Sequence, residues 1–194
     1  MGKLFESVIH TRISKLADSR EMILDHQFGF RKKHSTIHAI NKLTSDICWA
    51  LNDDQVLAAC LIDLEKAFDT VWTQGLLYKL LKKGFPHLIN ITWNMTLGWR
   101  FRVLEQGKIS TKTFSVKNRL QQGAINSPKL FNLFFSDLLT LFKINEGQEC
   151  KAIVYADDLI IYSHHRKISM VRDKLQDLMQ KINNYWKIKI NFNK

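Results

Sequence analysis

The sequence is poor in the residues that break a chain or crosslink it. Its 194 residues include two prolines, eight glycines and three cysteines. Cys48, Cys60 and Cys150 lie far apart and form no CxxC pair, which argues against a disulfide framework and against a cysteine zinc site. No apolar run reaches the roughly 20 residues of a membrane span, and the first residues lack the apolar core of a signal peptide. We therefore expect an intracellular protein of the cytoplasm or nucleus, with no membrane partner.

Acidic residues are also scarce. The 18 Asp and Glu residues face 29 Lys and Arg residues, so the net charge is +11. A folded domain this basic usually contacts phosphate, either in nucleic acid or on an anionic membrane surface. A basic domain without any polyanionic partner is the alternative that charge alone leaves open. Hydrophobic residues make up 45% of the chain, which is enough for a buried core.

Hydrophobic periodicity predicts a mixture of helices and strands, and so an α+β fold. The predicted helices cover 3–17, 36–51, 73–84 and 87–97, then one that begins with Ser127 as N-cap, and one that begins at Ser169. The predicted strands are a buried run over 56–62, a hairpin over 99–116 that turns at Gln106-Gly107, a hairpin that turns at Asp157-Asp158, and an edge strand over 187–194.

Two adjacent aspartates interrupt the apolar, strand-forming run AIVYADDLIIYS, residues 152–163. Neighbouring carboxylates repel each other, and burying one without a partner is costly. Asp63 ends the buried run VLAACLI, so Asp63, Asp157 and Asp158 converge if these strands are neighbours in one sheet. Divalent cations relieve that repulsion, because Mg²⁺ binds carboxylate, water and phosphate oxygens, and two ions roughly 4 Å apart serve phosphoryl transfer. The alternative is an Asp-Asp pair that only makes a turn.

Five segments, taken in order, cover nearly the whole chain: HQFGFRKKHST, LIDLEKAFDTVWTQGLLYKL, RLQQGAINSPKLFNLFFSDLL, VYADDLIIYS and WKIKINFNK. In that order they resemble motifs of the reverse transcriptase domain of non-LTR, LINE-like retrotransposons. The third segment departs from the family's usual Pro-Gln-Gly-Ser, since it reads Gln121-Gln122-Gly123-Ala124. The resemblance implies an RNA-directed DNA polymerase that uses an RNA template, a DNA primer and dNTPs. It also implies two Mg²⁺ ions, for which Mn²⁺ can substitute. No obligate protein partner can be read from the sequence.

The resemblance assigns roles to residues around the first metal motif and the hairpin. Asp63 and Asp157 match the two aspartates that bind both metal ions, and Asp158 matches the third acid. Leu64 matches the residue whose backbone carbonyl faces the ions. Phe68 matches the aromatic residue under the incoming sugar, which excludes a 2′-OH by contact.

The resemblance also implies nucleotide contacts elsewhere in the chain. Gln122 and Gly123 match the turn that touches the nucleotide and the templating base pair. Arg31 and Lys33 match a basic segment that binds the triphosphate, and solvated loop charge is their alternative. Lys194 matches a lysine that protonates leaving pyrophosphate, a general-acid role, with a frayed terminal residue as the alternative.

The architecture that the resemblance implies is a right-hand polymerase without a thumb. Its α-rich fingers would span 1–57 and an insertion at 83–118, and its palm would span 58–82 and 119–194. The palm would be an antiparallel sheet of the split βαβ type, backed by helices, in which Asp63 ends a central strand. A missing thumb predicts a short residence on primer-template, because affinity for a duplex depends on the number of phosphate contacts.

Three alternatives stay open from the sequence. The first is a catalytically inactive, nucleic-acid-binding remnant of such an element. The second is another member of the same polymerase branch, such as an intron maturase or a telomerase-like protein. The third is a structural or membrane-surface protein in which the Asp-Asp turn is accidental.

Overall fold

The computed structural model describes residues 2–64, 66–85, 89–96, 98, 100–115, 120–140 and 150–190. In these ranges the helices are α1 (Gly2–Ser19), α2 (Thr36–Asn52), α3 (Thr73–Lys82), α4 (Ile89–Thr96), α5 (Ser127–Leu139) and α6 (Ile168–Ile190). The strands are β1 (Val56–Asp63), β2 (Arg100–Phe101), β3 (Leu104–Glu105), β4 (Lys108–Ile109), β5 (Phe114–Ser115), β6 (Cys150–Tyr155) and β7 (Asp158–His165). The predicted α+β composition is confirmed.

The three long strands form one antiparallel sheet in the order β1-β7-β6. β7 lies in the middle and pairs with the whole of β1, from Val56 opposite His165 to Asp63 opposite Asp158. In the described sheet β1 is therefore an edge strand, and the prediction that Asp63 ends a central strand is wrong. The prediction fails because a continuous apolar run is compatible with a central strand and with an edge strand. In β1 the run includes Leu61, whose side chain is 77% exposed.

Successive residues of β6 and β7 face opposite sides of the sheet, as strand geometry requires. One side carries the main core, which these strands share with α1, α3, α5 and α6 and to which they contribute Ala152, Val154, Leu159 and Ile161. On the other side Ile153 and Tyr162 pack against Ala39 of α2. The hairpin reads as a nearly continuous apolar run because both of its faces are covered.

A buried carboxylate fastens α2 to the sheet. Asp46 of α2 accepts hydrogen bonds from Lys151 Nζ of β6 at 2.7 Å and from the Tyr162 hydroxyl of β7 at 2.6 Å. Lys42, one turn earlier, lies 3.2 Å from the same carboxylate. Burial alone would raise the pKa of Asp46, but these hydrogen bonds outweigh it and hold the pKa below its usual value. Burial, and the bond to Asp46, raise the pKa of Tyr162, which keeps its hydroxyl a donor.

The small predicted hairpin is confirmed. β3 pairs with β4, with Leu104 opposite Ile109, and β2 pairs with β5. Gln106 and Gly107 both have left-handed backbone, with φ of 45° and 78°, as a two-residue type I′ turn requires.

Several helix boundaries differ from the predictions by one or more residues, among them the end of α6 and the start of α5. α6 continues to Ile190. The edge strand predicted over 187–194 is therefore wrong for residues 187–190, which are helical. No Gly or Pro follows Ile168 to end the helix, and an alternating apolar pattern of only a few residues does not by itself override helix continuation. The remaining residues, 191–194, lie outside the described ranges. α5 begins one residue earlier than predicted, with Asn126 rather than Ser127 at the N-cap and no side-chain capping bond.

Candidate active site

The fold brings the predicted carboxylates to one end of the sheet. Asp63, the last residue of β1, lies directly opposite Asp158, the first residue of β7. Directly opposed residues have Cβ atoms about 5 Å apart and project to the same face. Asp157 precedes Asp158 in the turn that joins β6 to β7. Asp63 and Asp158 are exposed and Asp157 is half-buried, so solvent and ligands can reach them.

The turn itself lies one residue earlier than predicted. Ala156 and Asp157 form it, because Asp158 already pairs with Tyr155 as part of β7. Ala156 has a φ of 57°. That left-handed conformation costs a residue with a side chain about 1–2 kcal/mol. Strained backbone of this kind persists only where neighbouring structure holds it in place.

The three carboxylates lie at an open end of the sheet, without a closed cage around them. Like charges directly opposite each other in a sheet destabilise the pair. In the part of the chain that the structure describes, Asp63, Asp157 and Asp158 have no hydrogen bond or ion pair with a side chain, and no group of three His, Cys, Asp or Glu side chains is close enough to hold a metal ion. Mg²⁺ does not require three protein ligands, since one or two carboxylates suffice when water and substrate phosphates complete its coordination shell. The donor set therefore fits Mg²⁺, and the individual roles stay predictions.

Phe68 belongs to a group of aromatic rings that joins three parts of the chain. Its ring stacks on Phe131 of α5 at 4.9 Å and meets Phe30 edge to face at 6.0 Å. Its backbone oxygen accepts a hydrogen bond from Leu120 N at 2.9 Å. These contacts fix the half-buried Phe68 ring. Leu64, also half-buried, packs its side chain against the main core.

The Gln-Gly turn leads into α5 and is held by α1. Gln122 and Gly123 are exposed, and Gly123 has the left-handed φ of 78°. Lys3 Nζ donates to Gly123 O at 2.6 Å, and Ile125 N donates to a Glu6 carboxylate oxygen at 3.0 Å. Lys3 and Glu6 could not be identified from the sequence, because contacts between residues about 120 positions apart leave no local pattern.

The two cations predicted to bind the triphosphate differ, because one is anchored to its own loop and the other is exposed. Arg31 donates to the carbonyl oxygens of Leu24 at 2.9 Å and Gln27 at 3.1 Å, and lies 3.6 Å from Asp25. These bonds hold the Arg31 guanidinium to its own loop. Lys33 is exposed, with a left-handed φ of 61°. Neither Arg31 nor Lys33 contacts the three carboxylates in the part of the chain that the structure describes. The triphosphate-binding roles of these two cations stay predictions.

An apolar groove of about 420 Å³ opens beside the carboxylates, between α2 and the sheet. Asp63 and Asp158 line the groove together with apolar residues that include Ile40, Leu43 and Ile160. A mostly apolar hollow with a few polar groups at its edge is the usual character of a ligand site. The groove therefore offers an apolar wall next to the acidic groups.

Comparison with known proteins places the chain in a family. Residues 1–194 match the family described as reverse transcriptase (RNA-dependent DNA polymerase), and the chain belongs to it. The chain is similar to the probable RNA-directed DNA polymerase from transposon BS of Drosophila melanogaster. The two are 33% identical over 167 residues, which cover 84% of this chain and 18% of the relative.

A second relative supports the same family. The RNA-directed DNA polymerase from mobile element jockey of Drosophila funebris is 28% identical over 199 residues, covering 100% of this chain and 22% of the relative. The chain thus spans about a fifth of the length of the curated relatives it matches. The resemblance to reverse transcriptase domains of LINE-like elements is confirmed.

Solved structures show the fold. The chain superposes on apo telomerase from Candida tropicalis, truncated from its C-terminal domain, with a TM-score of 0.63 and 14% identity, over 90% of this chain and 36% of that one. The α+β fold is thus of the reverse transcriptase kind. None of the described helices is both long enough and apolar enough to cross a membrane.

Proposed function

We propose that this chain adds dNTPs to the 3′-OH of a DNA primer that is paired with an RNA template. The observation that carries the proposal is the β1-β7 register, which sets Asp63 opposite Asp158 beside Asp157. These carboxylates would hold two Mg²⁺ ions, or Mn²⁺ in their place. When bound, the ions would stabilise the charge of an in-line displacement at the α-phosphate.

The neighbouring residues would position the incoming nucleotide. Phe68, fixed by Phe131 and Phe30, would lie against the sugar and exclude a 2′-OH. The exposed turn of Gln122 and Gly123, held by α1, would contact the nucleotide and the templating base pair. Contacts that orient the nucleotide raise the reaction rate, because they convert an encounter between two molecules into a reaction within one complex.

Further roles follow from the resemblance. The backbone carbonyl of Leu64 would face the ions. Arg31 and Lys33 would bind the triphosphate, and Lys194 would protonate the leaving pyrophosphate. The net charge of +11 supports a nucleic-acid partner, because phosphate contacts supply most of the affinity.

The domain division is part of the same proposal. Residues 1–57 and 83–118 would form the fingers, and 58–82 and 119–194 the palm, in an intracellular protein. The antiparallel order β1-β7-β6, with helices packed on the main core, supports a palm of the split βαβ type.

We predict that Phe68→Ala weakens discrimination against ribonucleotides. Removing the ring leaves space for a 2′-OH, and a contact of this size accounts for roughly 10–200-fold discrimination. The measurement is the ratio of dNTP to rNTP incorporation in single-nucleotide addition. Phe114→Ala is the matched control, because that ring stacks on Phe101 in the small hairpin. An unchanged ratio in Phe68→Ala, with dNTP addition retained, would contradict the assigned role.

Primer extension tests the proposed function. The 194-residue chain is incubated with Mg²⁺, dNTPs and a DNA primer annealed to an RNA template of mixed sequence. We expect addition of the nucleotides that the template specifies. Binding of the template RNA without any addition would instead support the second candidate, a catalytically inactive nucleic-acid-binding protein, which the net charge of +11 favours.

A further inference from the structure

We infer that Asn132 of α5 is a positioning residue for the turn that carries Asp157. Asn132 holds residues 26–29, here called the bracing loop, against the backbone of Ala156. The significance for catalysis rests on the proposed function of Asp157. The contact between the bracing loop and the turn stands on the geometry alone.

The bracing loop extends the sheet beside the turn. His26 O accepts a hydrogen bond from Val154 N at 2.8 Å, and Phe28 N donates to Val154 O at 2.7 Å. Gln27 thereby forms a parallel bridge with Val154 of β6. The loop therefore covers the edge of β6 two residues before the left-handed Ala156.

Asn132 holds this loop from the side of the main core. Gln27 and Asn132 are both completely buried. Gln27 Nε2 donates to Asn132 Oδ1 at 2.7 Å, and Asn132 Nδ2 donates to Gly29 O at 2.9 Å. Because a carbonyl can only accept, the bond to Gly29 fixes which way the Asn132 amide faces. Neither Asp nor Leu at this position could make both bonds.

The arrangement leaves one buried atom unpaired. Within the described residues Gln27 Oε1 has no hydrogen-bond partner. Buried polar groups are normally paired, so an exception calls for a reason. Local rules are broken most often where function requires a particular geometry. The unpaired oxygen is the consequence of an amide orientation that serves the loop.

Gly29 transmits this placement to the turn. A Cβ added at Gly29 would overlap the backbone nitrogen of Ala156 and lie 2.9 Å from its Cα. The loop thus touches the backbone of the residue immediately before Asp157. Such contact supplies the outside support that the left-handed Ala156 requires. Displacing the loop would release Ala156, and with it the Asp157 carboxylate.

Consecutive residues of α5 therefore support both sides of the site. Phe131 stacks on Phe68, and Asn132 holds the loop behind the turn. One rigid helix thus fixes the ring assigned to the sugar relative to the carboxylate assigned to the ions.

The first test is hydrogen exchange of peptides covering the turn, measured in EDTA on the 194-residue chain and on Asn132→Leu. We expect exchange at residues 154–158 to accelerate about tenfold or more, because two buried hydrogen bonds are lost. Ser136→Ala is the control, since among the described residues this buried hydroxyl bonds only within α5, to Leu133 O at 2.8 Å. Exchange at the turn equal to that of the control, or faster exchange throughout the chain, would overturn the inference.

The second test measures Mn²⁺ affinity by electron paramagnetic resonance. We expect Asn132→Leu to bind Mn²⁺ about tenfold more weakly than wild type, which is one log unit of affinity, while Ser136→Ala matches wild type. Equal affinity in wild type and Asn132→Leu would contradict positioning. If wild type binds no Mn²⁺, the proposed metal site fails, and hydrogen exchange alone decides the positioning role.

Gly29→Ala keeps the Asn132 amide bonds but drives the loop and the turn apart. We expect the same faster exchange at residues 154–158 and the same weaker Mn²⁺ binding. This variant also gives a result if Asn132→Leu does not fold. Unaltered exchange at the turn in Gly29→Ala would contradict the proposed contact.

Discussion

Replacing Asp157 by asparagine is expected to lower the rate of single-nucleotide addition about 1,000-fold. The substitution keeps the shape of the side chain but removes one negative charge from the open site beside Asp63 and Asp158. Several kcal/mol of transition-state stabilisation depend on that charge, and about 4 kcal/mol corresponds to three powers of ten. The measurement is the single-turnover rate on an RNA template at saturating Mg²⁺.

Asp177→Asn is the matched control for this loss. Asp177 is exposed on α6, where it pairs with Lys181 at 2.6 Å. We expect this control to retain the wild-type rate, because exposed ion pairs contribute little. A rate for Asp157→Asn within tenfold of the control would refute the role assigned to Asp157.

Removing the Asp46 carboxylate of α2 should lower the stability of the protein strongly. Asp46→Ala leaves Lys151 and Tyr162 without their shared acceptor between α2 and the sheet. Breaking a buried, hydrogen-bonded ion pair from one side costs about 3–5 kcal/mol. We expect the free energy of unfolding, measured by urea denaturation, to fall by about 3 kcal/mol. Asp177→Ala should cost less than about 1 kcal/mol, and an equal loss in both variants would rule out the network as an anchor.

The same network predicts how stability depends on pH. The pKa of Asp46 is lower in the folded protein than its usual value of about 3.9. Its contribution is therefore complete above that usual value and is lost as the pH falls through the folded-state pKa. In Asp46→Asn this acid-induced loss should be smaller than in wild type. Parallel pH profiles for the two proteins, from urea midpoints at pH 5 down to pH 2, would contradict this assignment.

Local patterns predicted most of the elements and the position of the acids. The 3.6-residue periodicity indicated α1, α2 and α6, and the apolar runs indicated β1 and the β6-β7 hairpin. Asp63 could be placed at a strand end because it follows such a run, whereas Asp158 was predicted in the turn and is the first residue of β7. Their direct opposition in the sheet could not be predicted, since register depends on pairing between segments about 95 residues apart.

The bracing loop and its partner illustrate what sequence reasoning misses. Residues 26–29 make only a few backbone bonds to β6 and have no periodic pattern, so they read as a connection. Asn132 and Asp46 lie inside helices, where a polar residue usually faces solvent. Asn132 and Asp46 instead bond to residues that are about 100 positions away in the sequence. Only the folded chain identifies these partners.

Cleavage by bound iron tests most directly the claim that Asp63, Asp157 and Asp158 form one metal site. Fe²⁺ replaces Mg²⁺ in the 194-residue chain, and ascorbate with peroxide generates radicals that cut the backbone near the ion. We predict cuts close to residue 63 and close to residues 157–158, both suppressed by excess Mg²⁺ and both lost in Asp157→Asn. Cuts elsewhere, or a cut near residue 63 that persists in Asp157→Asn, would contradict a shared site.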